Sequence, residues 1–147
     1  MSKQNGNRQA LIDGLNTDLS HEYAAVITYR TYASAVTGPF RQELREFFAN
    51  EIPDELGHAE MLADKIVAMG GQPVVSAATV KMTEQPREML QNALADEEAT
   101  IERYVERRRM AEEMGEPGLA VRLDDIIVDE SKHRDELRLI LKRWTEA

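Results

Sequence analysis

The chain contains no cysteine. Disulfides, thiolate zinc sites, iron–sulfur ligation and cysteine nucleophiles are therefore excluded. Aromatic residues are scarce, at 5%, and the eight glycines and five prolines gather at a few points. A sheet core would want aromatic and β-branched residues spread along the chain, so a helical bundle is the better reading. No apolar run approaches the ~20 residues that cross a bilayer. The amino terminus, "MSKQNGNRQA", has no apolar stretch of the secretory kind, and a cytoplasmic location is expected. Basic residues are in the minority, 18 against 27 acidic ones, for a net charge of −9. A surface that tracks phosphates needs the opposite balance, so nucleic acid is an unexpected partner. The basic run "ERRRM" at 106–110 sits among glutamates and reads as a solvated helix face. At 147 residues the chain is expected to form one domain, residues 1–147.

What is present is helical period. In a first segment the stripe is Ile12, Leu15, Leu19, Glu22, Val26, Tyr29, Ala33 and Val36, ended by "TGP" at 37–39. A second runs from about Phe40 to Met69 through Leu44, Phe48, Glu51, Glu55, His58, Leu62 and Ile66, and "GGQP" at 70–73 stops it. A third begins near Thr83, read as a cap, and carries Leu90, Leu94, Glu97, Ile101, Tyr104 and Ala111 up to "GEPG" at 115–118. The fourth shows Leu119, Leu123, Ile126, Glu130, His133, Leu137, Ile140 and Trp144. The fold class that follows is all-α, a four-helix bundle. The link "GQPVVSAATVKMT", residues 71–83, can stretch about 43–47 Å, while a helix of roughly 27 residues is about 40 Å long. It is long enough to return along the bundle and make the second and third helices parallel.

Charged residues interrupt every stripe. Glu22, Glu55 with His58, Glu97, and Glu130 with His133 stand at core-facing positions. Each costs several kcal/mol unless it is neutralised. Four acids cannot neutralise one another, so something cationic must lie between them. The spacing repeats: Glu22 to Glu55 is 33 residues (55 − 22), and Glu97 to Glu130 is 33 (130 − 97). Two hairpins thus share one design, a Glu and then Glu-x-x-His. A Glu and a His three apart on a helix can grasp one ion. One Glu from each of two helices with Glu-x-x-His from each of the other two is the pattern of di-iron carboxylate bundles. Glu22 with His58 and Glu97 with His133 are then terminal ligands of two metals, and Glu55 and Glu130 bridge. Such oxygen-rich ligation with one nitrogen per metal suits two Fe ions per subunit, with Mn able to use the same set. Glu98, one position round from Glu97, is the alternative in the third helix.

The residues that carry this pattern, "HEYAAVITY" at 21–29, "DELGHA" at 54–59, "EMLQNALADEE" at 88–98 and "DESKH" at 129–133, resemble the ferritin-like di-iron carboxylate superfamily, bacterioferritin most of all. The resemblance implies a ferritin-like bundle and a ferroxidase, oxidising Fe(II) with O2 or H2O2 for iron storage or detoxification. It also implies a homo-oligomer. Where bacterioferritin carries its haem methionine this chain has Leu56, so no haem is expected. Only 14 residues follow His133, too few for the fifth helix of large cages, and a dimer or small shell is expected. A rubrerythrin-like peroxidase or di-metal oxidase without storage uses the same centre, and a DNA-associated mini-ferritin-type shell is a third reading. Pro53 and Gly57 flank Glu55, and a kink or break near Asn50 is expected. Tyr29 lies seven residues after Glu22 on the same face. There it can bond a ligand carboxylate and carry an electron or proton, or equally be a core aromatic with a satisfied hydroxyl. His21 points away towards surface or interface. Asp54 and Asp129 read equally as supports for the histidines and as solvated acids. Trp144 and the seven methionines read as packing.

Overall fold

The computed structural model describes residues 3–144. Four helices follow in order: α1 Lys3–Ala35, α2 Arg41–Ala68, α3 Pro86–Glu113 and α4 Pro117–Leu141. No strand occurs among the described residues, and no helix there is long and apolar enough to cross a membrane. The helix ends follow the local chemistry. After α2, Gly70 takes φ of 86°, a conformation that costs a side chain dearly. Its amide bonds the Val67 carbonyl while Gly71 bonds that of Ile66, a Schellman pair that satisfies the last carbonyls. Gly115 repeats this after α3, with Glu116 bonding the Ala111 carbonyl.

Contacts fix the directions. Tyr32 touches Phe48 and Arg8 reaches the Met69 carbonyl, so α1 and α2 are antiparallel. Arg107 bonds Asp18 and Asn92 bonds Tyr32, so α1 and α3 are antiparallel too. With α4 antiparallel to α3 (Arg108 to Asp124 and Arg138 to Glu98), α2 and α3 run parallel. The crossover makes this possible by lying along α1. Asn16 holds the Gln72 carbonyl and the Val74 amide, Ala78 bonds the Ser20 carbonyl, and the Tyr32 hydroxyl meets the Lys81 carbonyl at 2.5 Å. Two apolar clusters fill the bundle. One holds Leu11, Leu15, Leu19, Leu62, Ile66 and Leu123, the other Tyr32, Phe48, Met89, Leu90 and Leu137. The polar groups of the stripes lie between them.

Helix α1 begins at Lys3, nine residues before the first stripe position, Ile12. Three expectations need correction. The third helix starts at Pro86 behind Gln85, and Thr83 caps nothing in it: its hydroxyl accepts the Gln85 amide and donates to Glu88. Helix α4 ends at Leu141, short of Trp144, whose ring lies 5.4 Å from Phe40 and closes that end of the bundle. Helix α2 is unbroken through Pro53. Proline removes the bond to the Ala49 carbonyl, but Pro53 is exposed, where water can take that carbonyl. Packing on both flanks offsets the ~3 kcal/mol cost of an interior proline.

Beside one apolar cluster lies a buried ion pair. Arg107 bonds Asp18 at 2.8 Å, and Gly14 makes the room: a Cβ there would fall 2.1 Å from Arg107 Nη1. Gly14→Ala is expected to displace the guanidinium and destabilise by about 1–3 kcal/mol, despite alanine's better helix propensity. Gly57→Ala, where a Cβ meets nothing within 4 Å, is expected to stabilise by about 0.5–1 kcal/mol, or roughly 2–4 °C. Thermal denaturation of both variants checks the pair.

Candidate metal centre

Six polar side chains meet midway along the bundle, one from each of α1 and α3 and two from each of α2 and α4. Glu55 and Glu130 are 1% exposed, Glu22 2%, Glu97 3%, and His58 and His133 6%. They form two quartets with shared members. Glu22, Glu55, His58 and Glu130 bring one donor atom each within 4.8 Å of the others, and so do Glu55, Glu97, Glu130 and His133. His58 Nδ1 lies 3.6 Å from Glu22, 3.9 Å from Glu55 and 3.2 Å from Glu130. His133 Nδ1 lies 3.4 Å from Glu55, 3.5 Å from Glu97 and 3.7 Å from Glu130. Glu97 is the buried acid of its helix; Glu98 faces out, 3.9 Å from Arg138.

Whether these residues suit a metal is decided by what their atoms lack. Glu22 Oε2, Glu55 Oε1, Glu97 Oε2, Glu130 Oε1 and both histidine Nδ1 atoms are buried with no hydrogen-bond partner. Buried polar atoms are rarely left so. Six in one place, all acceptors or imidazole nitrogens, are the kind of donor set that could hold metal ions, and their chemistry fits such a group.

The surroundings hold the donors in place by exchange across the bundle. Tyr29 of α1 donates to Glu97 of α3 at 2.6 Å, and Tyr104 of α3 donates to Glu22 of α1 at 2.6 Å. Asp129 of α4 accepts from His58 Nε2 of α2 at 2.9 Å, and Asp54 of α2 accepts from His133 Nε2 of α4 at 3.0 Å. Each histidine thereby turns Nδ1 inward with its other nitrogen anchored, the arrangement that orients metal-binding imidazoles. One offset of 75 relates all five pairs: 22 and 97, 29 and 104, 54 and 129, 55 and 130, 58 and 133.

Sequence reasoning placed Tyr29 seven residues after Glu22 but missed Tyr104, seven after Glu97. The repeat of that spacing is the signal that finds it. It also missed Glu51, read only as a stripe position, whose carboxylate lies 2.5 Å from His133 Nε2. Position 126, its partner in the repeat, is isoleucine, so spacing alone could not have found Glu51. His21, read as pointing towards surface or interface, is half-buried.

The electrostatics reflect how closely these charges are packed. Burial pushes the carboxyls of Glu55 and Glu130 well above the usual range, and the neighbouring carboxylates push further. Glu97 is held low against its burial by the adjacent Glu130 carboxyl and His133 imidazole and by the hydrogen bond from Tyr29. Burial alone would lower both histidines; surrounding carboxylates instead raise them to about 11, chiefly Glu130 and Glu22 at His58, and Glu51 and Glu97 at His133. Protons therefore stand in for the missing positive charge.

Known proteins share this architecture. The model of the ferritin-like domain family matches residues 12–147. Bacterioferritin of Mycobacterium leprae (strain TN) is 29% identical over 124 residues, 84% of this chain and 78% of that protein. Bacterioferritin of Desulfovibrio desulfuricans (strain ATCC 27774 / DSM 6949 / MB) is 29% identical over 133 residues, 87% and 74% respectively. A solved structure described as a ferritin-like, di-iron-carboxylate protein from Bacillus anthracis str. Ames is 44% identical. It covers 96% of this chain and 99% of its own, with a TM-score of 0.91. With a long crossover, two Glu/Glu-x-x-His hairpins and a family match spanning all six clustered side chains, this chain belongs to the ferritin-like family, among the di-iron carboxylate proteins related to bacterioferritin.

Proposed function

We propose that the chain is a ferroxidase whose substrates are Fe(II) and O2 or H2O2, serving iron storage or detoxification. The observation that carries the reading is the pair of quartets sharing Glu55 and Glu130, with six inward atoms that lack any partner. Glu22 with His58 would hold one ion, Glu97 with His133 the other, and Glu55 and Glu130 both. Four carboxylates cancel the charge of two divalent ions. Each Fe(II) gives up one electron, and the pair reduces O2 to H2O2, or H2O2 to two waters, with two protons taken from solvent.

The protein's own groups prepare this. Asp54 and Asp129 keep the imidazoles in one orientation. The hydroxyls of Tyr29 and Tyr104 occupy one oxygen of each terminal carboxylate and leave the other for a cation. Tyr29, and by symmetry Tyr104, is then placed to pass a proton or electron to the centre. Two ferric ions carry two more positive charges than the four carboxylates balance, and Glu51, Asp54 and Asp129 lie just outside the imidazoles to offset them. Leu56, half exposed on α2, offers no atom to a haem iron. The same reading takes the protein as a cytoplasmic homo-oligomer, a dimer or small shell. Many Fe per chain on loading indicates storage, whereas about two indicates a catalytic centre alone.

Three outcomes are expected. Anaerobic Fe(II) should bind with a break at about two per chain, and air should raise a near-ultraviolet ferric absorbance. Glu55→Ala with Glu130→Ala should abolish the fast phase; oxidation as quick as the parent's would place the centre elsewhere. Asp54→Ala and Asp129→Ala should each weaken Co(II) binding by about 10–100-fold, read by titration of the visible absorbance.

Stability is also expected to depend on pH. Carboxyls raised in the folded state, Glu55 and Glu130, favour folding below their unfolded value of 4.5 and lose that contribution as pH climbs. The histidines, raised from 6.5 to about 11, lose theirs between those values. Glu97, held low, has already given its full contribution above its unfolded value of 4.5. The chelator-treated protein should therefore melt at lower temperature as pH rises from about 6 to about 9. The rise in Tm on adding Co(II) should widen over the same range, because metal displaces those protons.

A further inference from the structure

The carboxylate cluster is not sealed. A cleft of about 190 Å³ runs inward between α1 and α3 beside the crossover. Thr79, Lys81, Asp96 and Ala99 stand at its exposed end, and Glu22, Glu55, Glu97 and Glu130 form its floor. Neither His58 nor His133 lines it, so it reaches the carboxylates from the side away from the imidazoles. Alanines at 24, 25 and 93 keep the walls apart where a leucine would close them. The volume exceeds the ~150 Å³ that admits benzene, ample for a diatomic molecule or peroxide with water.

The charges along it discriminate. Lys81 lies 3.3 Å from Asp96 and cancels it. Arg103 pairs loosely with Asp18, at 3.7 Å, because Arg107 holds that acid more closely, at 2.8 Å. Its Nη2 bonds Thr100 and its Nε is buried without a hydrogen-bond partner. Arg103 is partly exposed in a lining whose floor carboxylates are buried, and its guanidinium repels a divalent cation moving inward but not a neutral molecule. The imidazole side has the opposite balance. Glu51, Asp54 and Asp129 gather around the two Nε2 atoms, and Arg122 in the adjoining groove is matched there by Asp125.

We propose that the α1–α3 cleft is the inlet for a small uncharged oxidant, O2 or H2O2, and that the cation substrate arrives separately from the acidic imidazole side. The proposal rests on the ferroxidase reading above and assigns a role to Ala25, Ala99 and Arg103, none of which touches the six clustered side chains in that reading.

The test narrows the cleft and follows two steps apart. Ala25→Leu fills its wall, and Ala99→Phe, at an exposed position that folding tolerates, crowds its mouth. Co(II) uptake without oxygen is followed by visible absorbance in stopped flow. Separately, protein preloaded with Fe(II) is mixed with O2 or with H2O2. Both variants are expected to take up two Co(II) at the parent's rate while oxidation slows by roughly tenfold or more. Slowing with both oxidants assigns the cleft to both, and slowing with one assigns it to that one. Co(II) uptake slowed in parallel, or oxidation unchanged in both variants, would overturn the proposal. A parent chain that fails to bind two Co(II) would sink the ferroxidase reading itself, and the inlet with it.

Discussion

Four glutamates buried in one core, with no lysine or arginine among them, are the constraint that organises this molecule. Carboxylates at 1–3% exposure cannot all be charged in an apolar bundle, and none can neutralise another. Burial and mutual repulsion raise the proton affinity of Glu55 and Glu130, and the surrounding carboxylates raise that of the two imidazoles. That arrangement leaves six donor atoms without partners, which a domain selected for stability alone would replace by leucine. The two apolar clusters on either side supply the stability that this middle layer withholds. Isolating the strained layer between them also explains why α2 tolerates Pro53 beside Glu55: the helix is held at both ends by packing that does not depend on the middle.

The crossover follows from the same constraint. A short α2–α3 turn would make those helices antiparallel, and α1 and α3 would then run in the same direction instead of opposing one another as they do. Running α2 and α3 parallel lets each hairpin present Glu, then Glu-x-x-His, in the same sense towards the other. Support then passes between hairpins: tyrosine to glutamate between α1 and α3, histidine to aspartate between α2 and α4. Neither hairpin holds its own donors in place, so the centre exists only when both are docked. The bonds from Asn16, Ser20 and Tyr32 to the crossover tie the long link to α1 and so fix that docking.

Much of this was legible in the sequence because the helical period is strict and the polar interruptions are few. Glu22, Glu55, His58, Glu97, Glu130 and His133 could be picked out as the charged members of apolar stripes, and burial separates Glu97 from Glu98 as the stripe indicated. The direction of the helices was legible from the length of the 71–83 link. What period cannot show is contact between helices. Asp54 and Asp129 support histidines on the opposite hairpin, a relation with no trace in local spacing, and so they read equally as solvated acids. Tyr104 was visible only as one more aromatic on a stripe until the offset of 75 paired it with Tyr29. The early start of α1 escaped because "KQNGNRQ" has no apolar period, and the helix there is carried outward from the packed turns that follow.

The repeat is most informative where it fails. Asp18 of α1 bonds Arg107 of α3; the symmetric pair is Ala93 and Tyr32, part of the aromatic cluster with Phe48. One end of the bundle is thus closed by an ion pair and the other by rings, and the guanidinium that needs Gly14's missing side chain has no counterpart. Thr28 and Arg103 are also symmetric partners, and both line the α1–α3 cleft, so at this matched position only the α3 side carries a charge. Glu51 and Ile126 are a third unequal pair. His133 consequently has two carboxylates at Nε2, Glu51 and Asp54, where His58 has only Asp129. A carboxylate at that nitrogen raises the donor strength of the other. Two cations held by chemically identical quartets would therefore sit in unequal fields, the one beside His133 facing more negative charge. On the ferroxidase reading, a twofold arrangement of ligands within an environment that is not twofold would give two positions that need not fill, oxidise or empty together.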